Sequence, residues 1–228
     1  MRSLITYLGH SSFSIKYSQG EILIDPFFEI ENDFIEKTKI TYIFLTHGHQ
    51  DHIGKTLELY KKFNLKIAGA YELMLFLNSK GVREEDLISI NFGGFIEFPF
   101  GKVKMVYALH SSSTLNDGKI VYTGNPCGYI FKFEDRTIYH MGDTGLSYEF
   151  KLIGELEKIN VLLIPIGGVF TMDIDDAINA VKMINSEYVI PMHYNTFDEI
   201  KCDPILFKRR VESETLSKCI ILKKGESF

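Results

Sequence analysis

Cysteine is scarce in this chain: Cys127, Cys202 and Cys219 are the only three in 228 residues, odd in number and without C-x-x-C spacing. That suits a reducing cytoplasm, where we expect the protein to reside, better than a disulfide framework. No apolar run approaches the roughly 20 residues of a membrane span, so no membrane association is expected. Basic charge is not in excess either. With 25 Lys and Arg against 30 Asp and Glu, the net charge is −5, which offers no footprint for a long nucleic-acid backbone. The one basic cluster, Lys208-Arg209-Arg210, follows Asp203-Pro204 and reads as the solvated face of a helix. Met1-Arg2-Ser3-Leu4-Ile5-Thr6-Tyr7 carries one basic residue and no small-residue cleavage site, so no signal peptide is expected. The sequence also lacks a G-x-S-x-G elbow, a P-loop and a G-x-G-x-x-G turn, the marks of three other chemistries. No low-complexity tract or Pro/Gly/Ser linker divides it, and a single domain over residues 1–228 is expected.

What is present is ample core material, 45% hydrophobic with 13% aromatic residues. Short β-rich runs open the chain, at 4–8, 12–17 and 21–24, with Ser18-Gln19-Gly20 as a hairpin turn and Asp25-Pro26 as a stop. Strands and helices then alternate: strand 42–45, helix 55–63, strand 66–70 and helix 71–79, stopped by Gly81. Residues 87–108 return to strand character. Residues 111–125 are polar and contain Asn116-Asp117-Gly118, which predicts an exposed loop or hairpin over a site. The second half predicts strands at 129–133, 137–140, 161–165, 188–191 and 218–222, and helices at 148–158, 173–185 and from Asp203. Two mixed sheets with helices outside account for this order.

The richest local signal is His47-Gly48-His49-Gln50-Asp51-His52, three of the chain's seven histidines within six residues. It follows the buried-strand run Ile40-Thr41-Tyr42-Ile43-Phe44-Leu45-Thr46, so imidazoles and a carboxylate gather where a strand stops. These are donor types that Zn, Mn and Fe take, and such crowding is costly unless a cation organises it. Other donors stand alone at later strand ends: His110 after Met105-Val106-Tyr107-Ala108-Leu109, His140 and Asp143 after Thr137-Ile138-Tyr139, and His193 after Tyr188-Val189-Ile190-Pro191-Met192. Layered sheet folds gather their sites at strand ends.

The pattern H-G-H-Q-D-H at 47–52, followed in order by His110, Gly142-Asp143 and His193, resembles the metal-binding pattern of the metallo-β-lactamase superfamily. Flanking motifs resemble one branch of it, the small predicted metal-dependent hydrolases near the ascorbate-phosphate lactonase-like enzymes. They include Gly9-His10-Ser11-Ser12, Ile22-Leu23-Ile24-Asp25-Pro26-Phe27, Pro165-Ile166-Gly167-Gly168 and Pro191-Met192-His193-Tyr194. The resemblance implies an α/β fold of mixed α+β type, a four-layer αββα sandwich. It implies one metal held by His47, His49 and His110, a second held by Asp51, His52 and His193, and Asp143 as the bridge. Two divalent ions are then expected, Zn first, with Mn and Fe open. The expected activity is hydrolysis of a small-molecule ester, lactone or phosphodiester by a metal-bridging hydroxide, with Asp51 and Asp143 as the catalytic carboxylates.

Around these donors, Asp25 is a candidate to orient a ligand imidazole, or else simply a turn-forming Asp before Pro. His10 is a candidate to approach the metals or substrate, His140 to stand behind the ligands, and Tyr194 to donate to a substrate oxyanion. Tyr122, Phe170 and Phe197 could form an apolar wall, with core packing the alternative. A small-molecule substrate is the expected partner. Rival readings are a nuclease or cyclic phosphodiesterase on the same residues, an iron-dependent oxidoreductase, or a non-catalytic metal or ligand sensor. Redox relatives typically resemble H-x-E-x-D-H; His49 stands in the middle place here and favours hydrolysis.

Overall fold

The computed structural model describes residues 4–27 and 38–228. These form two compact units that interleave along the chain. The first draws on Met1–Phe92, Ser111–Pro126 and Lys224–Phe228, and the second on Gly93–His110 and Cys127–Lys223.

The first unit carries a six-stranded sheet in sequential order: β1 (Leu4–Gly9), β2 (Ser12–Tyr17), β3 (Gly20–Ile24), β4 (Ile40–Phe44), β5 (Lys66–Ala70) and β6 (Leu87–Ile90). β1 to β3 pair antiparallel, and β3 to β6 pair parallel. β1 therefore runs in the same direction as β3 and β4, and all three end on one edge. Helix α1 (Gln50–Ile53) follows β4, α2 (Thr56–Lys62) follows α1, and α3 (Tyr71–Ser79) follows β5. Leu59 of α2 and Leu73, Met74 and Leu77 of α3 share a buried cluster with Ile43, Leu45 and Ile67. The helix expected over 55–63 thus has a separate turn before it, which takes Asp51 out of the loop and into α1. The polar stretch 111–125 folds as an antiparallel hairpin, β9 (Ser113–Asn116) with β10 (Lys119–Tyr122).

One buried carboxyl in this sheet has a measurable consequence. Glu21 on β3 is buried and accepts a 2.6 Å hydrogen bond from the Ser14 hydroxyl, while its burial pushes its pKa above the ordinary 4.5. Below that ordinary value both folded and unfolded chains are protonated there, so nothing is lost. Above the raised folded value the folded state carries the full cost of a desolvated carboxylate. Glu21→Gln keeps an acceptor for Ser14 and removes the charge. It should raise the melting temperature at pH 7–8, with a gain that fades as the pH falls toward 4. A thermal melt at both pH values checks this, and a lower melting temperature at neutral pH would refute it.

The second unit carries a seven-stranded sheet in the order β15-β14-β13-β12-β11-β8-β7. Its strands are β7 (Ile96–Phe98), β8 (Gly101–Tyr107), β11 (Cys127–Lys132), β12 (Thr137–His140), β13 (Val161–Pro165), β14 (Tyr188–Met192) and β15 (Lys218–Cys219). β12 to β15 are parallel; β11 opposes both β12 and β8. β13 is buried at every position, as expected of a central parallel strand. Helices α4 (Glu149–Leu156), α5 (Ile174–Ile184) and α6 (Pro204–Glu214) complete the unit. Asp173 caps α5 by accepting from Asp176 N, and Asp203 caps α6 with Pro204 in the first turn. Phe150, Ile178, Val181, Phe207 and Val211 from these helices share a core with Tyr139, Leu162 and Ile164 of the sheet.

Two of the three residues of the basic cluster on α6 pair within the unit, and Arg209 is exposed. Arg210 pairs with Asp175 and Glu214, and Lys208 lies 3.6 Å from Glu212. All three cysteines are free thiols, with Cys127 and Cys219 buried. Among the described residues no helix is long and apolar enough to cross a membrane.

Candidate functional site

In the first unit, the shared edge of β1, β3 and β4 collects the donors. β3 ends directly at Asp25 and its neighbour β4 leads into Thr46 and His47. The pairing places the Asp25 carboxylate against Thr46, accepting from its backbone N–H at 2.8 Å and its hydroxyl at 2.7 Å. The same Oδ2 lies 2.7 Å from His52 Nδ1. Because the Thr46 proton goes to Asp25, its oxygen can accept from His47 Nδ1, 3.0 Å away. One fully buried carboxylate thus orients two imidazoles, His52 directly and His47 through Thr46. With Nδ1 as the donor in both rings, Nε2 is left carrying the lone pair.

These lone pairs have company. His47 Nε2 and His49 Nδ1 are 2.9 Å apart, with their rings edge to face. His10, Asp51 and His52 each offer a donor atom within 4.8 Å of the others. The His10 ring is buried, with Nε2 at 3.2 Å from Asp51 Oδ2, and its backbone takes the left-handed conformation, φ 53°. β1 brings it there through Gly9, which also has positive φ. Thr46 and Asp25 hold the rings in the tautomer that metal ligation needs, so the residues present fit a divalent cation.

The hairpin β9–β10 is fastened to this loop. Ser112 Oγ accepts from Gly48 N at 3.1 Å and lies 2.8 Å from Thr123 Oγ1, and the Gln50 side chain donates to Thr114. The hairpin's Tyr122 is exposed.

In the second unit, β8, β12 and β14 end on one edge and bring their donors together. Asp143 Oδ2 lies 2.9 Å from His193 Nε2 and 3.8 Å from His110 Nε2. Asp143 and His193 are buried; His193 has φ 53° and Gly142, before Asp143, has φ 64°. His140, fully buried at the end of β12, accepts from Gly142 N through Nδ1 at 3.1 Å. It acts on the turn that presents Asp143. Tyr194 packs against the unit's core, and burial together with the Cys202 and Cys219 thiols pushes its pKa up to about 12. Phe170 and Phe197, by contrast, are exposed.

Thr46, Ser112 and Thr123 are the functional neighbours that the sequence reading passed over. Thr46 had a signal, its place immediately before His47 at a strand end. Ser112 and Thr123 had none, because only the folded hairpin brings them to Gly48.

Imidazoles and carboxylates fixed by outer hydrogen bonds, set at the strand edges of a mixed α/β fold, define a metal-binding protein. The chain belongs to the metallo-β-lactamase superfamily: the family described as the beta-lactamase superfamily domain matches residues 4–193, a span that enters both units. It is 43% identical over 224 residues to a UPF0173 metal-dependent hydrolase of Nanoarchaeum equitans, covering 98% of each chain. Igni18, a metallo hydrolase from the archaeon Ignicoccus hospitalis, superposes with a TM-score of 0.89 at 36% identity, over 99% of this chain and 97% of that one. The metallo-β-lactamase fold protein YhfI of Bacillus subtilis matches with a TM-score of 0.78 over all of both chains at 14% identity, a likeness of fold alone. The fold is accordingly the mixed α/β metallo-β-lactamase fold.

Proposed function

We propose that this protein is a dinuclear, metal-dependent hydrolase of a small-molecule ester, lactone or phosphodiester. The observation that carries this reading is the hydrogen-bond relay from Asp25 to His52 and, through Thr46, to His47. A fully buried carboxylate that accepts from one imidazole N–H and, through the Thr46 hydroxyl, orients a second ring is an arrangement for holding ligand rings, and it is costly otherwise. Family membership and the relatives' name support the hydrolytic class.

In this reading the chain is a single domain, and its ligands follow the assignment that the family resemblance implies. His47, His49 and His110 would hold one ion, and Asp51, His52 and His193 the other, with Asp143 between. An imidazole-rich set without thiolate favours Zn, with Mn and Fe as substitutes. Two bound cations would supply a water acidified toward neutrality and polarise the scissile oxygen. The chain's own groups do the rest. Asp51, partly exposed on α1, accepts and passes on the proton; His10, 3.2 Å from it, fixes its orientation. His140 holds the turn that presents Asp143. The free, largely buried thiols suit a cytoplasmic enzyme.

Asp143→Ala and His49→Ala should each abolish chelator-sensitive hydrolysis across a panel of ester, lactone and phosphodiester probes, a loss of a thousandfold or more by analogy with other deletions of catalytic groups. Turnover that survives both changes would overturn the proposal.

A further inference from the structure

Four strands, β8, β12, β13 and β14, end on the same edge of the seven-stranded sheet. β12 to β14 are parallel, and two antiparallel pairings through β11 return β8 to their direction. Three of those ends deliver His110, Asp143 and His193. The fourth, after β13, delivers no donor. It delivers the loop 167–172, in which Val169 adopts φ 57°, a conformation that β-branched residues rarely take.

That loop is braced on both sides by the donor segments. Met172 N donates to Thr144 O at 3.0 Å, next to Asp143, and Gly168 N closes the loop on Met172 O at 3.0 Å. At Gly167 the backbone runs so close to the His193 carbonyl that a Cβ would sit 2.3 Å from it. The brace holds two apolar side chains in water: Val169 is 77% exposed and Phe170 54%. The donor segments add more. Leu109, beside His110 and hydrogen-bonded through its N–H to Thr144 Oγ1, is 51% exposed, and Phe197, four residues past His193, is 40% exposed. A scaffold without a ligand has no use for a strained, braced loop that keeps Val and Phe out of the core. The segments 108–110, 141–147, 166–172 and 193–197 contain no lysine or arginine, so this edge offers no side-chain clamp for a phosphate.

We propose that this rim binds an apolar acyl group, and that the substrate is a carboxylic ester, lactone or thioester carrying one. The inference rests on the hydrolase reading above and narrows its substrate class. In the reaction, the water oxygen joins the acyl carbon, the acyl–O or acyl–S bond breaks, and the water's proton balance goes to the leaving alcohol or thiol and the product acid.

The chain has no tryptophan, so Phe170→Trp makes a single fluorescent reporter within the rim. The purified, metal-bearing variant is titrated with acetate and with octanoate, which share a carboxylate and differ in chain length. Leu216→Trp, at a site 92% exposed and remote in sequence, reports non-specific effects. Octanoate should give a saturable blue shift in the Phe170→Trp protein with an apparent Kd about tenfold or more below that for acetate, as burial of several methylenes requires. The Leu216→Trp protein should not respond. In parallel, kcat/KM of the unmodified enzyme should rise from p-nitrophenyl acetate to p-nitrophenyl octanoate, and Phe170→Ala should erase that preference by raising KM for the longer ester. Equal affinity for both acids, an equal response from Leu216→Trp, or a chain-length preference that Phe170→Ala leaves intact would overturn the proposal. The binding titration needs no turnover, so it can fail or succeed independently of the hydrolase reading.

Discussion

Asp25→Asn is expected to weaken metal binding by about 10- to 100-fold while leaving the fold intact. Asp25 has φ 46°, a conformation asparagine tolerates nearly as well as aspartate. The amide oxygen can still accept from Thr46 N. The amide nitrogen, however, then stands where Oδ2 accepted from both the Thr46 hydroxyl and His52 Nδ1. Donors would face a donor. The cheapest relief moves the His52 proton to Nε2, which removes the lone pair the metal needs. Retained metal after dialysis against a graded chelator measures the loss, and circular dichroism checks the fold. Unchanged metal affinity would show that Asp25 is only a turn residue before Pro26.

Gly48→Ala is expected to cost about 1–3 kcal/mol of stability, as overpacking does, and to strip metal with it. A Cβ at Gly48 would lie 2.0 Å from Thr123 Oγ1 and 2.7 Å from Thr123 Cβ. Thr123 is fully buried and tied to Ser112, whose hydroxyl also holds Gly48 N, so the neighbour has no easy retreat. His47 and His49 flank the position, and displacing it spreads their ring nitrogens from the observed 2.9 Å. Gly94→Ala, where a Cβ meets nothing within 4 Å, is the matched control. A denaturant midpoint for Gly48→Ala equal to that control would contradict the close packing of hairpin on loop.

Much of this was readable from the residues because the fold places its donors at strand ends. Residues 40–46 announce a buried strand, and His47 to His52 follow it. His110, Asp143 and His193 likewise stand at the close of apolar runs. What stayed hidden depends on pairing between strands. Asp25 meets Thr46 and His52 only because β3 and β4 are parallel neighbours, and His10 reaches Asp51 only because β1 shares their edge. The final strand, expected over 218–222, stops at Cys219 for a local reason. Ile220 N still bonds Val189 O, but the next ladder position falls on Pro191, which has no N–H to give. The division into two units was also invisible, since residues 93–110 and 127–223 interleave with the first unit and no linker marks the crossings.

The most direct test of the central claim is the metal content of the purified protein, measured by elemental analysis alongside hydrolysis of the probe panel before and after chelation. The account predicts close to two divalent ions per chain, chiefly zinc, with hydrolysis lost to chelator and restored by the metal added back. A chain that binds no divalent metal above the buffer level, or that hydrolyses its substrate equally well after exhaustive chelation, would contradict it.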